Sequence, residues 1–261
     1  MRQVIKGNPP MSRSKLTFSF AAAAWVATAG LASAADLAVK APRVAVAPVP
    51  WLNVFGGFAV DESGYFGDAG AVIALNRNLN QDGVLFRIRG GAGHYEYHRT
   101  TTFEQSVSYQ VGEAMVGYQT MVGNTRLTGY VGVNVEHHDN SDPLAKVAGT
   151  KWGIKGQGEI YTQLSPDLYF LALGTLSSAW TSYFAMAKVG YRIAPGISVG
   201  PEVAALGNDR FDAVRVGPFI AWDVGPAAQI ILSGGYSWDT NRNALDDHSG
   251  AYGTVHLRAL F

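Results

Sequence analysis

Gly250-Ala251-Tyr252-Gly253-Thr254-Val255-His256-Leu257-Arg258-Ala259-Leu260-Phe261 ends the chain with a period of two. Val255, Leu257, Ala259 and Phe261 share one face, and Thr254, His256 and Arg258 share the other. Positions two apart fall on the same side of a β-strand, so this stretch predicts a strand with one apolar and one polar face. Soluble sheets alternate too. The aromatic residue at the end gives the strand its weight once the start of the chain is considered.

In the first 34 residues Arg2, Lys6, Arg13 and Lys15 are the only charges. An apolar run follows from Leu16 through Phe18, Phe20, alanines 21–24, Trp25 and Val26 to Leu31, ending in Ala32-Ser33-Ala34. A basic region, an apolar region and a small-x-small site form a secretory signal peptide, expected over 1–34 with Met11 as a possible start. Behind an export signal, a terminal strand closed by Phe261 resembles the one by which bacterial outer-membrane barrels are recognised for assembly. Phe261 is therefore the expected assembly signal.

The whole chain balances 20 basic against 20 acidic side chains. Without the four basic residues of 1–34 it is net acidic by four, which argues against a nucleic-acid partner. Cysteine is absent, which excludes disulfides and thiolate chemistry. No later segment has the roughly 18 unbroken apolar residues of a membrane helix. Residues 35–50, with their prolines, read as an extended periplasmic lead-in. From Trp51 to Phe261 the chain reads as one all-β domain.

Alternation and turn chemistry divide 51–261 into about twelve strands. They fall near 51–60, 65–75, 83–97, 103–121, 126–137, 147–163, 168–178, 181–192, 197–206, 213–224, 228–239 and 251–261. In 126–136, Leu127, Gly129, Val131, Val133 and Val135 oppose Arg126, Thr128, Tyr130, Gly132, Asn134 and Glu136. A soluble sandwich turns such charges outward, whereas a membrane barrel turns the apolar band to lipid and the polar face to its lumen. With the export signal, the expectation is an antiparallel transmembrane β-barrel in the outer membrane, with ten or fourteen strands as alternatives. Short connections at Asn76–Asp82, Val122–Thr125, Leu164–Asp167, Ile193–Gly196 and Gly225–Ala227 are expected at the periplasmic end. The longest loops, His138–Lys146 and Thr240–Gly250, are expected outside. Trp152, Tyr183, Trp222 and Phe261 are expected in an aromatic girdle.

Two places resist simple alternation. Pro201 and Pro218 sit inside strands and are expected roughly opposite each other, accommodated by a shared bulge. At Gly90-Gly91-Ala92-Gly93 a one-residue register change is expected. It would carry His94, Glu96 and His98 to the side of Arg87 and Arg89.

No catalytic signature stands out. His137-His138-Asp139-Asn140-Ser141-Asp142 has carboxylates that suit a cation and a Ser141 that suits a hydrolase, but outer loops are polar in any case and a solvated loop is the expected reading. No metal site or cofactor is assigned. Parity places Arg87, Arg89, Arg126, Glu136, Lys151, Lys155, Glu159, Lys188, Arg192, Glu202, Arg215, Asp223 and Arg258 on polar, lumen-lining faces. Tyr130, Tyr161, Phe219 and Tyr252 join them. Such charges either pair and plug a narrow barrel, or line a polar conduit whose rings stack on sugars.

Several stretches resemble the BcsS cellulose-biosynthesis family. They are Trp51…Phe55-Gly56-Gly57-Phe58, Ala74-Leu75-Asn76-Arg77-Asn78-Leu79-Asn80-Gln81-Asp82-Gly83 and Arg87…Gly93-His94-Tyr95-Glu96-Tyr97. Further along come Gly117-Tyr118-Gln119, Gly149-Thr150-Lys151-Trp152-Gly153, Gly200-Pro201-Glu202, Gly207-Asn208 and Gly250-Ala251-Tyr252-Gly253. No single motif is diagnostic, but the ordered set covers nearly the whole of 51–261. The resemblance implies an alphaproteobacterial outer-membrane protein that assists cellulose biosynthesis or export, and no catalytic residues. The partners to expect are nascent cellulose, cellulose synthase components, outer-membrane lipid and the barrel assembly machinery. A general porin or structural barrel, and an outer-membrane lipid or glycan hydrolase using 137–142, remain as alternatives.

Overall fold

The computed structural model describes residues 49–261 apart from 101–102, 141, 143–144, 210 and 242–248, without the side chains of 97–100, 103–104, 240 and 241. The signal peptide and nearly all of the lead-in lie outside the described residues. Twelve strands follow in order. They are β1 (Leu52–Val60), β2 (Gly64–Ala74), β3 (Gly83–Thr100), β4 (Phe103–Val122), β5 (Thr125–Asn140) and β6 (Gly149–Gln163). Then come β7 (Leu168–Ser177), β8 (Tyr183–Ala194), β9 (Ile197–Gly207), β10 (Phe211–Val224), β11 (Ala228–Asn241) and β12 (Gly250–Leu260).

Each strand pairs antiparallel with its sequence neighbours, and β1 pairs with β12 to close the barrel. Closure removes the open edges that a sheet otherwise exposes. At the seam the Trp51 and Leu52 amides donate to the Phe261 carbonyl, and the Phe261 amide donates to Leu52. Chain alternation then becomes inside and outside. On β5, Val131 and Val133 are exposed while Thr128, Tyr130, Asn134 and Glu136 are buried. Trp152 and Ile154 of β6 are about as exposed, at 70% and 69%, because no protein layer covers them. An apolar exterior around a charged interior is the reverse of a soluble domain and suits a bilayer.

Aromatic residues band this exterior at two levels. Trp51, Tyr118, Tyr191, Trp222 and Phe261 are exposed near the end that carries the chain closure and the short turns, the turn end. Tyr65, Trp152, Tyr236 and Trp238 are exposed near the opposite, loop end. Tyr183 starts β8 opposite the exposed Leu176; it is half-buried, and its hydroxyl donates to Asp212 at 2.8 Å.

Spanning a bilayer takes about 9–11 residues of tilted strand. β3, β4 and β5 have 18, 20 and 16. Their surplus projects beyond the loop-end girdle, and there the pattern inverts. On β4, Ser106, Ser108 and Gln110 point out, while Val107 is fully buried inside. The strand passes from lipid into water, and its two faces exchange character where the surroundings change.

Three expectations are corrected. The prolines do stand opposite each other, Pro218 to Pro201, but with the β9–β10 register unbroken and no bulge. The ladder is interrupted on the far sides, between β8 and β9 and between β10 and β11, where the missing N–H groups would have pointed. The β2–β3 and β3–β4 registers run straight through Gly90–Gly93, shifting only between His98 and Thr100. His94 and Glu96 therefore face outward, opposite in sense to Arg87 and Arg89, and His94 stacks on the exposed Tyr65 at 5.8 Å. The glycines serve close approach instead: a Cβ at Gly93 would lie 2.6 Å from the Tyr109 ring. Loop asymmetry is also weaker than expected, because the turn-end connection between Ala74 and Gly83 is as long as the loop-end one between Asn140 and Gly149.

Candidate functional site

Glu113 of β4 is the hub of the lumen. Its side chain is 3% exposed and accepts from Arg87 Nε at 3.0 Å and from Lys155 Nζ at 2.5 Å. Arg89 Nη1 stands 3.8 Å away. Arg89 also donates to Asp68 at 2.7 Å, and Arg87 lies 3.9 Å from Glu159. Three cations and three carboxylates from β2, β3, β4 and β6 thus form one neutral network. Lys155 must cross β5 to reach it, and its partner on that strand is Gly132, which has no side chain. Buried charges persist where partners and hydrogen bonds replace lost water.

Two smaller units lie across the barrel. Lys188 of β8 pairs with Glu202 of β9, which also accepts from Ser233 at 2.9 Å. Arg215 of β10 reaches Asp61 in the β1–β2 connection. Toward the loop end, Glu136 accepts from Asn134 at 2.8 Å and from Ser182 at 2.9 Å. Above it Phe66, Tyr109 and His138 stack face to face, at 5.2 and 5.4 Å. Trp180 meets His138 edge-on, and Lys151 sits 4.7 Å over the indole. Trp180 and Thr181 both adopt positive φ, at 52° and 51°. A bulky residue rarely takes that conformation, so the β7–β8 connection is held strained with its indole turned in.

The turn end is closed differently. The connection 75–82 tucks Leu79, 8% exposed, against Val72, Ala74, Leu85, Met115 and Tyr130. Gln119 holds it there by donating to the carbonyls of Leu79 and Gln81, each at 2.9 Å. Sequence reasoning passed over Asp61, Asp68, Glu113, Gln119 and Trp180. Odd parity along β4, shared with Tyr109 and Met115, was the available signal for Glu113.

The seventeen residues singled out by parity, Arg87 through Arg258, lie on the strand positions that alternate with the exposed apolar ones. Their tyrosine faces are covered. Arg87 lies 5.9 Å over Tyr130, Arg126 5.6 Å over Tyr161 and Arg215 5.5 Å over Tyr252. The two histidines of 137–142 part company. His137 faces outward and bonds Thr150 at 2.8 Å, while His138 is buried in the aromatic stack. Among the described residues no group of three metal-binding side chains converges, and Ser141 lies outside them.

A closed antiparallel barrel with an apolar, girdled exterior and a charged lumen defines an outer-membrane type of β-barrel. The chain belongs to the family described as cellulose biosynthesis protein BcsS, whose profile matches residues 53–261. No curated protein matches it. Among solved structures, an outer membrane channel from Pseudomonas putida F1 is similar at 12% identity with a TM-score of 0.59, covering 85% of this chain and 100% of that one. A TodX mutant monoaromatic hydrocarbon channel gives 9% identity and 0.47, covering 82% and 90%. A KdgM porin gives 7% and 0.44, covering 80% and 99%. The likeness to the Pseudomonas channel is one of fold.

Proposed function

We propose that this barrel assists cellulose biosynthesis or export in the bacterial outer membrane as a non-enzymatic component, with its turn end in the periplasm. The family match carries this reading, because it spans the whole barrel rather than one motif. Its proposed partners are the cellulose synthase machinery and the emerging glucan. Deleting the gene should lower secreted cellulose severalfold, measured as cellulase-released glucose, and re-expression should restore it. Unchanged output would remove cellulose from the account.

The covered tyrosine faces favour a second reading, in which the barrel organises the export site rather than conducting the chain. A neutral glucan stacks on aromatic faces, and here guanidinium groups already occupy them. Tyr161→Ala distinguishes the two, because Tyr161 is only half-buried and its loss should leave the barrel folded. Organising predicts unchanged cellulose output, and conduction predicts a fall.

Phe261 is proposed to serve barrel assembly. It is exposed on the outer face, and its backbone forms the β1–β12 seam, so a charged side chain changes recognition and leaves the seam bonds available. Phe261→Asp should shift most of the protein from the outer-membrane fraction to the periplasm. Normal recovery of heat-modifiable barrel would count against this role.

A further inference from the structure

In the middle of the barrel each lumenal charge meets an opposite one. At the turn end this balance fails. Arg126 of β5, Arg192 of β8 and Arg258 of β12 all point into that mouth. None of the three makes an ion pair among the described residues. Arg192 donates to the Pro166 carbonyl at 3.1 Å, at the rim. Arg126 and Arg258 enter the mouth from well-separated parts of the ring, Arg126 opposite Tyr161 and Arg258 opposite Gln229. Asp223 is a lumen-facing carboxylate at this end, accepting from Gln229 at 2.7 Å and attracting Arg258, so the positive charge there is only partly offset.

The surroundings are rich in donors. Arg126 is braced over Tyr161, which packs at 5.8 Å against Tyr169 and donates its hydroxyl to Gln163 at 2.9 Å. Gln229 of β11 stands directly opposite Arg258. Two like charges sharing one mouth repel each other, and an anion between them turns that repulsion into attraction. The planar fork of a guanidinium fits carboxylate and phosphate oxygens two at a time.

We propose that the turn-end mouth, built on Arg126 and Arg258 with Arg192 at its rim, binds small anions bearing several carboxylate or phosphate groups. A neutral glucan gains nothing from unpaired positive charge, so this site is independent of the cellulose reading and would survive its failure. The mouth collects anions from the periplasmic side under the orientation proposed above, while the neutral network around Glu113 offers them no further attraction.

Isothermal titration of the detergent-solubilised full chain with citrate, and separately with inorganic phosphate, tests the site. Citrate should bind more tightly than phosphate, and its affinity should fall as salt is added. The double variant Arg126→Gln/Arg258→Gln should weaken citrate binding about tenfold or more, as expected for losing charge-assisted hydrogen bonds. Arg77→Gln, which changes a charge over the outer Trp51 ring at the same end, should bind as the parent does. Heat-modifiable migration confirms that each variant is a folded barrel. If the double variant does not fold, Arg126→Lys replaces it and should weaken binding by less, because it keeps charge and loses the fork. Absence of citrate binding to the parent protein, or undiminished binding by the folded variants, would overturn the proposal.

Discussion

Replacing Glu113 with glutamine should destabilise the barrel by about 3–5 kcal/mol, the range for breaking a buried ion pair from one side. The substitution preserves shape and removes one negative charge from the centre of the network. Its consequences differ among the three cations. Arg89 retains Asp68 at 2.7 Å, and Arg87 retains Glu159 at 3.9 Å. Lys155 has Glu113 as its ion-pair partner and is left as an uncompensated charge in the lumen. Most of the loss should therefore run through Lys155. A second substitution, Lys155→Met, should recover a large part of it, since removing both partners of a buried pair is often near neutral. Urea unfolding of the purified barrel, followed by tryptophan fluorescence, measures both steps. A Glu113→Gln barrel within about 1 kcal/mol of the parent would show that water reaches the network and screens it.

The outward and inward faces of β5 and β6 were legible because lipid and lumen demand opposite chemistry at successive positions. Val131 and Val133 alternate with Asn134 and Glu136 in the plainest form of that code. Strand number and the opposition of Pro201 to Pro218 followed from turn positions, which fix antiparallel register locally. The cross-lumen partners were not legible. Arg215 and Asp61 are 154 residues apart, and only closure through the β1–β12 seam brings their strands near each other. The aromatic stack has a more local origin: Phe66, Gly93, Tyr109 and His138 stand in one row across β2, β3, β4 and β5, and the bare Gly93 lets the rings of β2 and β4 meet.

The misplacement of His94 and Glu96 has a more specific cause. Polar side chains were expected on the lumen side, so a register change at Gly90–Gly93 was needed to keep them with Arg87 and Arg89. The strands instead continue unshifted beyond the apolar band, where outward polar residues are favoured by water. The cue was present in the 20-residue length of β4, twice what a bilayer needs. Trp180 gave no comparable signal, because the turn it occupies has positive φ at both central residues and is closed by the Ser182 amide donating to the Ala179 carbonyl at 3.0 Å, a conformation usually marked by Asn or Gly rather than by Trp-Thr.

Depth along one outer face should govern the cost of a new charge. Val131 of β5 is 63% exposed on the apolar band, paired with Val116 of β4. Ser108 of β4 faces the same way, eight residues further toward the loop end, in the projecting part of the wall. At about 3.4 Å per residue and a tilt of about 40°, eight residues move a side chain roughly 20 Å along the barrel axis. Val131→Arg places a guanidinium among acyl chains and should cost about 2–4 kcal/mol. Ser108→Arg places the same group in water and should stay within about 0.5 kcal/mol of the parent. Both are read by unfolding the barrel from lipid vesicles, and the difference between them cancels the intrinsic cost of an arginine in a strand. Equal penalties would put the projecting wall inside the bilayer. If neither variant loses stability, the exposed valines do not face lipid, and the inside-out reading of the barrel fails.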